Sequence, residues 1–282
     1  MFRHAEEKDR AALLDYLRRE SEFNLFIIGD VLSLGVRGED IDVYLQARRG
    51  AIEAVLMRYR NNFIPYTREA ALDLSAVTGR INTSLATDGT WFVSGKKEIV
   101  HRVKPGLQRA PAWEREQFFA VCRELRADVP AAQLPSVRTA APDDAEAIAG
   151  LWDAVFGGKE DRRLRQDIEQ EKTRVAFIRD AASGEVVSSA ACVAESDAAA
   201  MIIGVATHPD HRGKGYATAC VWRLVSDLRA RGKSACLFFH NPAAGTIYRR
   251  LGFQDIGMWK MMKFARSISE RKAEDSGWLM LG

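Results

Sequence analysis

Hydrophobic and polar positions divide the chain into strand-like and helix-like stretches. In the second half, TRVAFIRD, EVVSSAACVAE and AAAMIIGVATHP are apolar runs bounded by the turn-forming ASGE and ESDA, which predicts three strands. From Tyr216 the period changes. Ala217, Cys220, Val221, Leu224, Val225 and Leu228 recur at helical spacing, and Gly232 follows as a stop. SACLFF then reads as a buried strand, so strand, helix and strand form a crossover unit whose two strands should be parallel neighbours. HNPAAGTIYRRLGF predicts a second helix, with Asn241 as its cap, Pro242 in first position, Ala244, Ile247, Tyr248 and Leu251 on the apolar face, and Gly252 at its end. The first half has the same mixture. DRAALLDYLRRES predicts a helix, and DVYLQA, AIEAVLMRYR, NNFIPYT and WFVSG predict strands. FNLFIIGDVLSLG is apolar at helical spacing and is expected in a core between domains. EREQFFAVCRELRA reads as a helical pattern.

Prolines and small residues in ADVPAAQLPS interrupt the periodicity and disfavour helix on their N-terminal sides. The expected organisation is a first domain over 1–126, a linker over 127–136, a second domain over 137–265 and a charged tail over 266–282. The two domains echo each other. RHAEEKDRAALLDYL and RTAAPDDAEAIAGLW align without gaps, matching Arg3, Ala5 and Asp9 with Arg138, Ala140 and Asp144, and Leu13 with Ile148. Both read as a short strand, an acidic helix start and an apolar helix face. The expected class is therefore α/β, with mixed sheets in two similar domains in tandem.

Composition narrows the partners. With 47% hydrophobic and 28% charged residues, the 282-residue chain can bury two ordinary cores. A net charge of +3 is too mild for a nucleic-acid partner. The four cysteines form no CxxC pair, and no metal-ligand spacing appears. There is no apolar signal core and no stretch approaching the ~20 apolar residues of a membrane span. A reduced, cytoplasmic protein is expected, monomeric or homodimeric, without a metal, a nucleic acid or a membrane.

The candidate chemistry lies in THPDHRGKGYATACV, where two glycines and three basic residues join a strand to a helix. A P-loop would need Gly where His208 stands and Ser or Thr where Gly215 stands. A dinucleotide fingerprint would need a third Gly where Thr218 stands, and the next strand ends without a ribose-binding acid. What remains is R-x-x-G-x-A at Arg212, Gly215 and Ala217. Small residues there let backbone N–H groups approach a ligand, the helix start adds partial positive charge, and Arg212 and Lys214 add cations. Such a turn suits a pyrophosphate.

That turn, followed one helix and one strand later by N-x-x-A-x-x-x-Y-x-x-x-G-F from Asn241 to Phe253, closely resembles the GNAT superfamily of acyl-CoA-dependent N-acyltransferases. The resemblance covers Val137 to Phe264. It implies a central strand with a bulge that splays from its parallel neighbour. Gly204 could mark that bulge or a packing position. The resemblance also implies an acyl-CoA co-substrate, expected to be acetyl-CoA. Its pantetheine arm would lie beside Val205, Ala206 and Thr207, and its pyrophosphate over Arg212, Gly213, Lys214, Gly215, Tyr216, Ala217 and Thr218. Asn241, Ala244 and Tyr248 would complete the binding surface. In the family, a free amine attacks the thioester in a ternary complex, backbone N–H groups hold the oxyanion, and a tyrosine, here Tyr248, protonates the thiolate.

The base is left open: His208 and His240 end the two parallel strands and could border the site, Glu195 and Asp197 read as solvated turn residues and His211 as a surface residue, and many relatives use a water relay instead. The first domain has NNFIPYTREAALD where the glycine turn would be, so it is expected to be a degenerate copy that shapes the amine cleft. Mycothiol synthase and the glycine N-acyltransferase-like enzymes share this tandem plan. The acceptor is expected to be a primary amine of a small molecule, amino acid or peptide. A longer acyl donor, or a non-catalytic acyl-CoA sensor, are the alternatives.

Overall fold

Asp9 and Asp144 do the same local job. Each carboxylate accepts the backbone N–H of the residue three before it, Glu6 at 2.8 Å and Ala141 at 2.9 Å, and closes a short 3-10 turn that leads into a helix. The strands before these turns, β1 (Phe2–His4) and β7 (Val137–Thr139), and the helices after them, α1 (Arg10–Leu17) and α5 (Ala145–Phe156), start at the positions that the gapless alignment pairs. The repeat is thus present in the fold. The structure, a computed structural model, describes residues 1–126, 137–157 and 163–265. The chain divides into two compact units, one of Met1–Phe118 together with the strand from Gly257, the other of Phe119–Ile256.

In the first unit, β1, β2 (Ile41–Arg48), β3 (Ala51–Tyr59) and β4 (Asn62–Thr67) run antiparallel in sequence order. Helix α3 (Ser75–Leu85) crosses over to β5 (Trp91–Lys96), which pairs parallel with β4. Helix α2 (Leu25–Leu34) belongs to this unit and buries Leu25, Phe26, Ile27, Ile28 and Val31. The surprise is the next strand, β12 (Gln254–Phe264), whose residues from Trp259 to Phe264 pair antiparallel with β5.

The second unit repeats the order. Strands β7, β8 (Arg174–Arg179), β9 (Val186–Val193) and β10 (Ala199–Thr207) are antiparallel, and α7 (Tyr216–Ala230) crosses over to β11 (Ser234–Phe239), parallel to β10. Helices cover both faces, because β8 alternates strictly: Val175 and Phe177 pack with α5, while Ala176 and Ile178 pack with α7 and α8 (Pro242–Leu251).

One sequence expectation needs adjustment. EREQFFAVCRELRA is not a helix, since Trp113–Cys122 forms strand β6. Glu114 and Glu116, two apart on one strand face, both reach Lys260 Nζ, at 2.7 and 3.1 Å, and Phe119 to Cys122 are buried. A short apolar run such as FFAVC serves either structure, and ladder pairing overrides the helix propensity of its neighbours. The stretch from Phe119 to Arg126 groups with the second unit, and the strand from Gly257 with the first. The linker over 127–136 and the tail over 266–282 lie outside the described residues.

Candidate active site

The site begins with an interruption in β10. Its parallel register with β11 runs from Ala199↔Ser234 to Ile202↔Leu237 and goes no further, although β10 continues to Thr207. On its other edge, the register with β9 shifts between Ile203 and Ala206. Gly204 lies in that bulge with φ +57°, a left-handed conformation that suits glycine. Crowding requires glycine here as well. A Cβ would stand 2.6 Å from Cζ2 of Trp152. The β10–β11 splay and bulge expected from the family resemblance are therefore present.

Helix α5 and strand β9 clamp the bulge. Trp152 Nε1 donates to Ser189 Oγ at 2.8 Å and to the Gly204 carbonyl at 3.1 Å, and Ser189 Oγ donates to the same carbonyl at 3.1 Å. Ser188 Oγ donates to the Ala206 carbonyl at 3.0 Å. Both serines are fully buried, so these bonds replace the water they lose. Sequence reading missed all three residues. The available signal was a serine pair in the otherwise apolar VVSSAACV, and a tryptophan, with its N–H, on a helix face opposite a strand glycine.

Beyond β10, a 3-10 turn (Pro209–His211) leads into the glycine turn. Gly213 (φ +76°) and Gly215 (φ +79°) are both left-handed, with open space around Gly213, so there conformation rather than crowding selects glycine. Gly215 is the N-cap of α7, and its carbonyl accepts Ala219 N–H at 3.0 Å. The N–H groups of Tyr216, Ala217 and Thr218, in the first turn, precede any intrahelical partner. Arg212 Nε is held by the Thr207 carbonyl at 3.3 Å, and Lys214 Nζ lies 3.4 Å from His211 Nδ1, which puts two exposed cations beside those donors.

Tyr248 on α8 belongs to the buried cluster that contains Ile202, Leu237 and Phe239, with Val205, Tyr216 and Ala244 packed against it. The predicted strand, turn and tyrosine thus share one face of the sheet. Tyr248 stacks edge-on to Phe253 at 5.9 Å, and burial pushes its hydroxyl up to about 12. Asn241 caps α8, its Oδ1 accepting Ala243 N–H at 2.9 Å. Thr207 Oγ1 is 2.9 Å from Ser188 Oγ. Among the candidate bases, Glu195 lies at the far end of β10. It is ion-paired with Arg174, with Arg231 at 2.5 Å and with Lys233 at 2.6 Å. Burial alone would raise it, but those three cations hold it below the usual carboxylate range. His208 accepts Asp210 N–H at 3.4 Å and caps its own turn.

Residues 136–256, which contain the bulge, the turn and Tyr248, match the family described as acetyltransferase (GNAT) domain. The match takes in less than half of the chain and assigns this stretch, not the chain as a whole, to that domain family. A curated relative, serotonin N-acetyltransferase 2, chloroplastic, of Oryza sativa subsp. japonica, is 32% identical over 116 residues, covering 40% of this chain and 57% of the rice protein. This chain therefore spans little more than half the length of that relative. A Drosophila protein of known structure aligns over 94% of this chain and 98% of its own, with TM-score 0.69 and 12% identity. A tandem GNAT protein from the clavulanic acid biosynthesis pathway aligns over 93% of this chain and 97% of its own, with TM-score 0.58 and 12% identity. At such identities these two speak for the fold alone. No described helix is long and apolar enough to cross a membrane.

Proposed function

We propose that this chain is an N-acyltransferase that moves an acetyl group from acetyl-CoA to the primary amine of a small molecule, amino acid or peptide. One observation carries the reading: the bulge and splay of β10 lead directly into a glycine turn at the head of α7, within the residues that match the GNAT domain. The splay offers the pantetheine arm the peptide edges of Val205, Ala206 and Thr207. The turn offers a pyrophosphate the N–H groups from Gly213 to Thr218, with Arg212 and Lys214 beside them. Asn241 and Ala244 flank the route on α8. The amine nitrogen attacks the thioester carbonyl, backbone N–H groups of the bulge receive the oxyanion, and the carbon–sulfur bond then breaks. The proton lost by nitrogen balances the thiolate that leaves, and the Tyr248 O–H donates a hydrogen bond to that sulfur. The similarity to a rice serotonin N-acetyltransferase supports an amine as acceptor.

The first unit is proposed to be a degenerate copy that binds no CoA. Its β4 has no register shift against β3 and carries Pro65, which has no N–H to offer. At the start of its α3, Asp73 already accepts Ser75 N–H at 2.9 Å and Ser75 Oγ–H at 2.9 Å, which places an acid where a phosphate would need donors.

Calorimetric titration with acetyl-CoA tests both halves of the reading. The expected stoichiometry is one per chain, lost in Gly215→Val because a β-branched residue does not adopt that φ. Two sites per chain would overturn the degenerate first unit. No binding would remove the transferase reading altogether.

A further inference from the structure

We infer that Trp152, together with Ser189, is a positioning residue that aims the Val205 backbone N–H at the thioester carbonyl; the inference rests on the acyl-transfer reading above. A peptide group is planar and trans, so its C=O and N–H point in opposite directions. The Gly204 carbonyl is held on the β9 side of β10, by Ser189 of β9 and by the Trp152 indole, each at 3.1 Å. The N–H of the same peptide, on Val205, therefore leaves β10 on the other side. That is the side from which β11 has parted after Leu237. Gly204 and Val205 also fall inside the register shift, between the paired residues Ile203 and Ala206. The result is an N–H directed into the splay, its angle set by a carbonyl with both lone pairs engaged.

Glycine, bulge and indole specify one another. The left-handed φ of Gly204 turns the carbonyl towards α5, and the absence of a Cβ makes room for the ring, which would otherwise meet it at 2.6 Å. Trp152 is 3% exposed and Ser189 fully buried, so neither bond competes with bulk water. A ring needed only for packing would serve as well without its Nε1–H. The two hydrogen bonds of that N–H distinguish a clamp from a filler.

Trp152→Phe keeps an aromatic side chain, though a smaller one, and removes the donor; Ser189→Ala removes the second donor and the bridge. Each is titrated with acetyl-CoA and with S-ethyl-CoA, a thioether that has the same nucleotide and arm but no thioester carbonyl, and turnover is followed by thiol release. The wild-type protein should prefer acetyl-CoA by about fivefold, the worth of one neutral hydrogen bond. Both variants should bind the two ligands within about twofold of each other, keep the S-ethyl-CoA affinity of the wild type, and turn over about tenfold slower or worse. Variants that keep the wild-type preference and rate overturn the clamp while leaving the transferase reading intact. So do variants that lose S-ethyl-CoA affinity in step with melting temperature, since that marks a purely structural tryptophan. A wild type that binds neither ligand removes the acyl-CoA reading, and the clamp with it.

Discussion

At the scale of single residues, the acidity of Tyr248 decides what it can do. Burial alone pushes its hydroxyl up to about 12, so it is neutral across the working range of pH and acts as a donor. A thiol has an ordinary pKa near 8.5, so complete transfer of the phenolic proton to a thiolate would be uphill by about 5 kcal/mol. In the proposed transfer, the role that fits Tyr248 is a hydrogen bond to the departing sulfur, with the proton supplied by the nitrogen that has just been acylated. Tyr248→Phe keeps the ring beside Phe239 and Phe253. Acetyl-CoA affinity should then hold while turnover drops about 10- to 100-fold, the worth of a hydrogen bond to a charged partner. The donor form is lost only as pH rises through the raised pKa. Wild-type turnover should therefore show no alkaline fall below about pH 10. A variant with full turnover, or an alkaline limb centred near pH 9 that Tyr248→Phe abolishes, would contradict this role.

At the scale of elements, legibility follows from how local the physics is. The glycine turn and α8 could be read because conformation and capping are decided within a few residues: Gly213 and Gly215 need positive φ, and Asn241 caps its own helix. The Trp152 clamp could not, because it joins α5, β9 and β10 across 52 residues of chain. Strand β6 misled for the same reason. Its carboxylates share Lys260, far away in sequence, instead of meeting cations one helical turn along. Lys260 is buried between Glu114 and Glu116, and Glu116 also meets Lys97 at 2.6 Å and His101 at 3.0 Å. The Lys97 bond leads the interactions that bring Glu116 down to about 2. A depressed carboxylate stabilises the fold above its unfolded pKa, and that contribution is lost as pH falls through the folded value. The melting temperature should consequently drop between about pH 4.5 and 2, and Glu116→Gln should be destabilised at pH 7 but show a shallower acid decline. Parallel acid curves for the two proteins would show that this network does not set the acid limb.

At the scale of the whole molecule, the echo between the two halves was legible because each half starts with the same capped turn. The ownership of the last strand was not. Nothing in QDIGMWKMMKF marks it for the first unit, where Trp259, Met262 and Phe264 are 1%, 0% and 0% exposed and the strand extends β5. Burying three such side chains stabilises by about 1.5–3 kcal/mol each, roughly 5–9 kcal/mol together. That is as large as the net stability of a typical domain. A chain ending at Ile256 keeps every residue of the GNAT match over 136–256, yet its first unit should fail to fold, with β5 left as an unpaired edge beside exposed core. Hydrogen exchange on the shortened chain measures this directly. The amides of β2 to β5 should exchange at the rates of an open chain, whereas in the full-length protein they should be among the slowest. If those amides stay protected without β12, the first unit carries its own stability, and its last strand is an addition to a finished domain.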